Sequence, residues 1–202
     1  PKTPVTDETI VDITYDEKCQ LNGIFHFLTE KTGGVNLHNS SVVKVETNSY
    51  QQNDERFHPS HLFDPTNKEN KSNDYRSDDI DGTFVSFDFG EMRVSISKYV
   101  IESSHKKVRS HPKNWIVEGK NEEEGEIWEE IDQQTDNSEL NGSGLTVAFQ
   151  PSHPNENFYR FVRIRQTGNS WYHVKNKCKV CFCQVEFFGK IINDSSALAD
   201  SH

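Results

Sequence analysis

Six short runs, each rich in β-branched or aromatic residues and each closed by a turn, follow one another along the chain. They are Phe84 to Gly90, His111 to Asn121, Ile127 to Ile131, Asn141 to Gln150, Tyr159 to Gly168 and Val185 to Gly189. Within or beside these runs apolar residues sit two apart, at Val43 and Val45, Phe87 and Phe89, Trp115 and Val117, Val162 and Ile164, and Val185 and Phe187. In an extended chain residues two apart share a face, so each pair offers one side of a strand to a core. About eight strands of this kind, with no long internal helix between them, predict an all-β sandwich of two sheets.

Composition sets the size of that core and narrows its partners. The 202 residues suit one domain with extensions, but only 32% are hydrophobic, so the core is compact and the loops are generous. Asp and Glu number 32 against 22 Lys and Arg, a net charge of −10 that disfavours a broad electrostatic hold on nucleic acid or an anionic membrane. No apolar run is long enough for a membrane span and no signal peptide is visible. The chain starts at Pro1 and its one methionine is Met92, so further sequence is expected upstream. Cys19 stands apart from Cys178, Cys181 and Cys183, a spacing unlike a paired disulfide framework, and the thiols are expected to be reduced in the cytoplasm. N-x-Ser patterns at Asn39, Asn70, Asn141 and Asn193 are expected by chance in so Asn- and Ser-rich a chain.

The ends differ from the middle. Residues 1–20 mix charged and β-branched residues without period and are expected to form an extended arm, or a strand shared with a neighbour. Leu21, Ile24, Phe25 and Leu28 recur at helical spacing before Gly33 and Gly34, which predicts a short amphipathic helix closing one mouth of the sandwich. The domain proper is expected over residues 21–191, and the polar residues 192–202 as a flexible tail. Three long polar interruptions, Phe63 to Thr83, Ser103 to Pro112 and Thr167 to Lys177, are candidates for functional loops.

Several clusters carry possible chemistry. Cys178, Cys181 and Cys183 form C-x-x-C-x-C, and with His173 they offer zinc ligands; yet Cys181 and Cys183 alternate with Val185 and Phe187, so the simpler reading is thiols pointing into the core. His58 and His61 flank Pro59, and His105 and His111 bracket a basic loop; spacing alone does not make them converge on a carboxylate. Asp78, Asp79 and Asp81 resemble a calcium loop without its full spacing, and a solvated acidic turn is the simpler reading. Arg163 and Arg165 share a strand face with Phe161, opposite Val162 and Ile164, and Asp88 or Glu118 are their natural partners. No nucleophile elbow, P-loop, dinucleotide fingerprint or zinc-protease helix is present, so no enzyme, cofactor or metal is expected.

Taken in order, the motifs resemble one family. Pro59, Asp64, Tyr75 and Ser77, then Phe87, Asp88, Phe89 and Gly90, then Pro112, Lys113, Trp115, Glu118 and Gly119, and last Arg160, Arg163, Arg165, Thr167 and Gly168 follow the pattern of a discoidin domain. This domain, also called the coagulation factor V/VIII type C domain, belongs to the galactose-binding-like superfamily. The likeness runs from about Gly23 to Lys190 and is greatest to intracellular versions that unicellular eukaryotes append to interaction domains. It implies a jelly-roll sandwich used for binding. Tyr75 stands where the family often has Trp, and the polar loops lack the apolar spikes of lipid-binding members, so membrane insertion is not expected.

The loops then carry the expected function. Lys106, Lys107 and Arg109 make a basic knot in an acidic chain, His111 follows them, and Trp171 with Tyr172 sits after the Arg-rich strand. Aromatic and cationic side chains of this kind anchor binding surfaces. These six residues are predicted to dock a protein partner or fix the chain in a larger assembly, such as a cytoskeletal or ciliary one; recognition of a carbohydrate at the same loops is the alternative.

Overall fold

The computed structural model describes residues 9–106, 110–122, 127–154, 156–171 and 178–193. Among them ten strands form: β1 (Thr9–Ile13), β2 (Lys44–Thr47), β3 (Tyr75–Arg76), β4 (Phe84–Asp88), β5 (Arg93–Ser103), β6 (Trp115–Lys120), β7 (Glu129–Gln134), β8 (Thr146–Phe149), β9 (Phe161–Gln166) and β10 (Cys181–Asn193). Two helices accompany them, α1 (Ile24–Lys31) and α2 (Pro65–Asn70). The strands pair antiparallel into two five-stranded sheets, one in the order β1-β10-β5-β8 with β3 also on β10, the other β2-β4-β9-β6-β7. The result is the all-β jelly-roll sandwich that the alternation predicts. The strand count exceeds eight because β3 is only two residues long and β1 falls in the segment expected as an extended arm.

Each inward pair reaches the core. Val45, Phe87, Trp115, Val117, Val162, Ile164, Val185 and Phe187 join one hydrophobic cluster between the sheets. Phe25 enters it from α1, its ring within 5.0 to 5.8 Å of those of Phe63, Phe87, Phe89 and Phe187. A polar strut ties the sheets together: the Tyr99 hydroxyl on β5 donates to Asp132 on β7 and accepts from the Trp115 indole on β6 at 3.0 Å. Satisfied buried networks of this kind favour a single packing. Gly119, in the same signature as Trp115, has no room for a side chain, since a Cβ there would lie 2.4 Å from the Tyr159 ring.

The outward residues of β9 behave as their alternation requires. Glu118 on β6 accepts from Arg163 Nε at 2.6 Å and Arg165 Nη2 at 2.7 Å, while Asp88 on β4 takes Arg160 at 2.8 Å. Burial works against the Glu118 carboxylate, but Arg165 and Arg163 outweigh it and hold its pKa below the usual value. These arginines are scaffold, fully engaged in their own sheet.

Three expectations change in three dimensions. First, Cys181 and Cys183 are buried but stand outside the core cluster that holds Phe182, Val185 and Phe187. Phe182 pairs with Ser103 and Gln184 with Glu102, so Cys183 is the extra residue of a β-bulge, which shifts the alternation by one. Both thiols therefore face away from the core. Second, α1 lies along the flank of β10, from where it sends Ile24, Phe25 and Leu28 into the core cluster. β3 covers Cys181 and Phe182, and β1 covers Gly189 onward, leaving 183–188 unpaired on that edge. There Phe25 N–H and His26 N–H donate to Glu186, and the Asn67 amide donates to the Cys183 carbonyl, which covers an edge that would otherwise recruit another strand. Third, β10 continues through Ile192 and Asn193, placed in the tail by the sequence, because they pair with Ile10 and Thr9. The rest of the predicted tail, and residues 1–8 of the arm, lie outside the described residues.

Candidate functional site

Alternating strand directions bring residues 77–83, 104–106, 110–114, 135–145, 167–171 and 178–180 to one end of the sandwich. The described parts of these loops are stitched together by main-chain hydrogen bonds. Trp171 N–H donates to His111 O at 3.0 Å, Cys181 N–H to Ser110 O at 2.7 Å, Thr167 N–H to Asn114 O at 3.1 Å and Asn137 N–H to Lys113 O at 3.0 Å. Side chains add to this, with Asn114 donating to Asn169 O at 2.9 Å and accepting from Asp136 N–H at 2.8 Å. A loop end held this way is preorganised, which lowers the entropic cost of binding.

Three of the six predicted site residues are described here, and Lys107, Arg109 and Tyr172 lie outside the described residues. Lys106 is half-buried with its ammonium 6.0 Å from the Phe57 ring. His111 is buried; its carbonyl holds Trp171 in place, its Nδ1 has no partner, and burial lowers its pKa. Trp171 is half-buried, its indole N–H fixed on Asn137 O at 2.7 Å, and Lys113 lies over its ring at 4.6 Å while pairing with Asp136 at 3.0 Å. Trp171 thus stands among amide, carboxylate and ammonium groups.

Sequence reasoning missed the groups beneath. Between the sheets at this end lies a cleft lined by Tyr75, Thr83, Phe84, Asn114, Trp115 and Gln166, with room for about one water molecule. Gln166 is buried in its wall with neither its amide nitrogen nor its amide oxygen partnered. Among the described residues, buried side-chain atoms without partners belong to Thr29, Arg76, His111 and Gln166, and the last three are at this end. The signal for Gln166 was present: it continues the inward series Val162, Ile164 with a polar residue at the strand's end.

The other candidates resolve into structural roles or a separate cluster. His58 Nδ1 accepts from Ser60 N–H, and His61 sits 3.6 Å from Asp64, so these imidazoles cap local turns. Asp78 and Ser49 exchange hydrogen bonds, and Asp81 accepts from Gly82 N–H. All four cysteines are free, with the Cys181 and Cys183 thiols pushed up to about 12 by burial; His173 lies outside the described residues. Among the described residues the one group of three possible metal ligands with converging atoms is Glu102, His105 and Cys183. No described helix is long and apolar enough to cross a membrane.

No family model and no curated protein sequence matches the chain. Solved structures do. A family 32 carbohydrate-binding module from Clostridium perfringens, in complex with GalNAc-β-1,3-galactose, superposes with a TM-score of 0.55 at 9% identity, covering 73% of this chain and 96% of that one. The C-terminal domain of a chitobiase from Bacteroides fragilis gives 0.56 at 14% identity over 76% and 97% of the two chains. A fucolectin from striped bass serum gives 0.56 at 12% identity over 73% of this chain and 47% of that one. The chain therefore has the galactose-binding-like jelly-roll fold, the fold that discoidin domains share. At these identities the likeness is one of fold.

Proposed function

We propose that this chain is a non-catalytic carbohydrate-binding module that takes a sugar at the loop end carrying Trp171 and Gln166. Carbohydrate-binding structures of the same fold favour this reading over the docking of a protein partner expected from the loop composition. The observation that carries it is Gln166, a buried amide with both polar atoms unpartnered beside a small cleft at the loop end. An unmade buried hydrogen bond costs about 1–3 kcal/mol, and a sugar hydroxyl entering the cleft would supply both a donor and an acceptor. The indole of Trp171 would then offer an apolar face to a sugar ring, with Lys113, Asn114 and Asp136 around it. The four free thiols support a reducing compartment, and with it the cytoplasm, as the place of action.

A glycan array followed by calorimetry with galactosides and chitosan oligosaccharides tests this. Specific binding at millimolar affinity or tighter is expected. Trp171→Ala should weaken it at least about tenfold, the equivalent of ~1.4 kcal/mol, without unfolding the chain. Gln166→Leu should abolish it while leaving stability equal or higher, because it deletes unpartnered polar atoms. An array with no binding, alongside a protein that co-purifies from native cells and is lost with Trp171→Ala, returns the function to protein docking.

A further inference from the structure

Glu102 and His105 are three residues apart and Cys183 lies on a distant strand, yet the ligand atoms of all three lie within 4.8 Å of one another. Glu102 is the buried penultimate residue of β5, His105 follows two residues after that strand, and Cys183 is the residue that the β10 bulge turns away from the core. Glu102 Oε1 lies 2.5 Å from His105 Nε2. Its other oxygen is held separately, by Lys71 Nζ at 2.8 Å and Thr146 Oγ1 at 3.2 Å. The Cys183 sulfur faces the Asn67 amide nitrogen at 3.7 Å and the Asn73 carbonyl at 3.5 Å. Gly144, in the left-handed region at φ +65°, lets the imidazole lie against the 135–145 loop, where a Cβ would come within 2.7 Å of the ring.

We propose that Glu102, His105 and Cys183 form a zinc site, with the carboxylate monodentate through Oε1, the imidazole through Nε2 and the thiolate through Sγ. Oxygen, nitrogen and sulfur in one set suit a borderline-soft divalent ion far better than calcium or magnesium, and three protein ligands leave a fourth position for water or a substrate atom. The surroundings orient each ligand. Lys71 and Thr146 fix the carboxylate by its free oxygen, and the Asn67 N–H points at the sulfur, where it stabilises a thiolate. Zinc with one thiolate and one carboxylate is neutral, so the loaded site sets no net charge against the Lys71 side chain. Loading displaces the thiol proton of Cys183, so binding releases a proton and strengthens as pH rises. The His105 side chain is 38% exposed, which gives the ion a path from solvent.

Cobalt is the direct probe, because a thiolate ligand declares itself in the spectrum. The full chain, stripped with a chelator, should take up stoichiometric Co2+ with a thiolate-to-cobalt charge-transfer band in the near ultraviolet, and Zn2+ should displace it. Cys183→Ser should remove that band, and His105→Ala, which leaves the Lys71 partner of Glu102 in place, should weaken both metals at least about tenfold. Cys178→Ser should change nothing, which separates this site from one built on Cys178 and His173. A parent chain without the band, or a Cys183→Ser or His105→Ala variant that binds cobalt as the parent does, overturns the assignment.

Discussion

The Glu186 carboxylate is buried beside the first turn of α1, where it accepts from the N–H groups of Phe25 at 2.8 Å, His26 at 3.0 Å and Phe187 at 2.9 Å. Burial is the larger influence and raises its pKa from 4.5 to about 7, while the N–H groups pull it down. The folded state therefore holds a proton through a range where the unfolded chain has lost it. Between pH 4.5 and about 7 the folded state binds more protons, so this group's contribution makes stability fall as pH rises and level off above that window. Denaturant unfolding across this range should show the slope in the parent and its loss in Glu186→Gln; parallel profiles would refute the assignment. The variant should also be less stable by about 1–3 kcal/mol, since an amide NH2 meets N–H donors where an oxygen had accepted. The roles of other single residues were legible beforehand. Arg163 and Arg165 had to point outward because Val162 and Ile164 point in, and Glu118 lay in a strand of matching polarity. That Asp88 would take Arg160 instead depended on register, which no local pattern records.

β10 is the element on which the molecule turns, pairing with β1, β3 and β5 and receiving α1 against its flank. Its apolar composition marked it as a strand, but the bulge at Cys183 did not show, since Phe182, Val185 and Phe187 differ from strict alternation by a single position. That one residue decides whether the thiol faces the core or Glu102. β1 was equally hard to read: Val11 and Ile13 sit two apart, but Thr9, Ile10 and Asp12 are exposed, so its apolar stripe is only two residues long. Its value is to cover backbone. Removing residues 1–13 should cost only about 1–3 kcal/mol in a thermal or urea melt, from the partial burial of Val11 and Ile13, yet it bares the β10 edge from Gly189 to Asn193. Light scattering on warming should rise well above that of the parent at equal concentration, and unchanged scattering would show that β1 protects nothing.

At the scale of the whole molecule, charge limits what the surface can hold. A net charge of −10, with Arg160, Arg163 and Arg165 engaged by Asp88 and Glu118, disfavours a broad electrostatic hold on polyanions. The full chain should neither shift duplex DNA nor sediment with anionic vesicles at about 0.15 M salt; clear retention on either would place the function outside the sugar reading.

Hydrophobic alternation by itself determined that this chain is a β-sandwich, which strands face inward and where the polar loops fall, because a period of two follows from the geometry of an extended backbone and needs no knowledge of neighbours. Only the tertiary structure decided which loops share an end, that an unpartnered Gln166 lines a cleft at the same end as Trp171, and that Cys183 meets Glu102 and His105. Those juxtapositions join residues separated by up to about eighty positions, through strand register, a bulge and a sheet edge, and they arise from the packing of the two sheets as a whole.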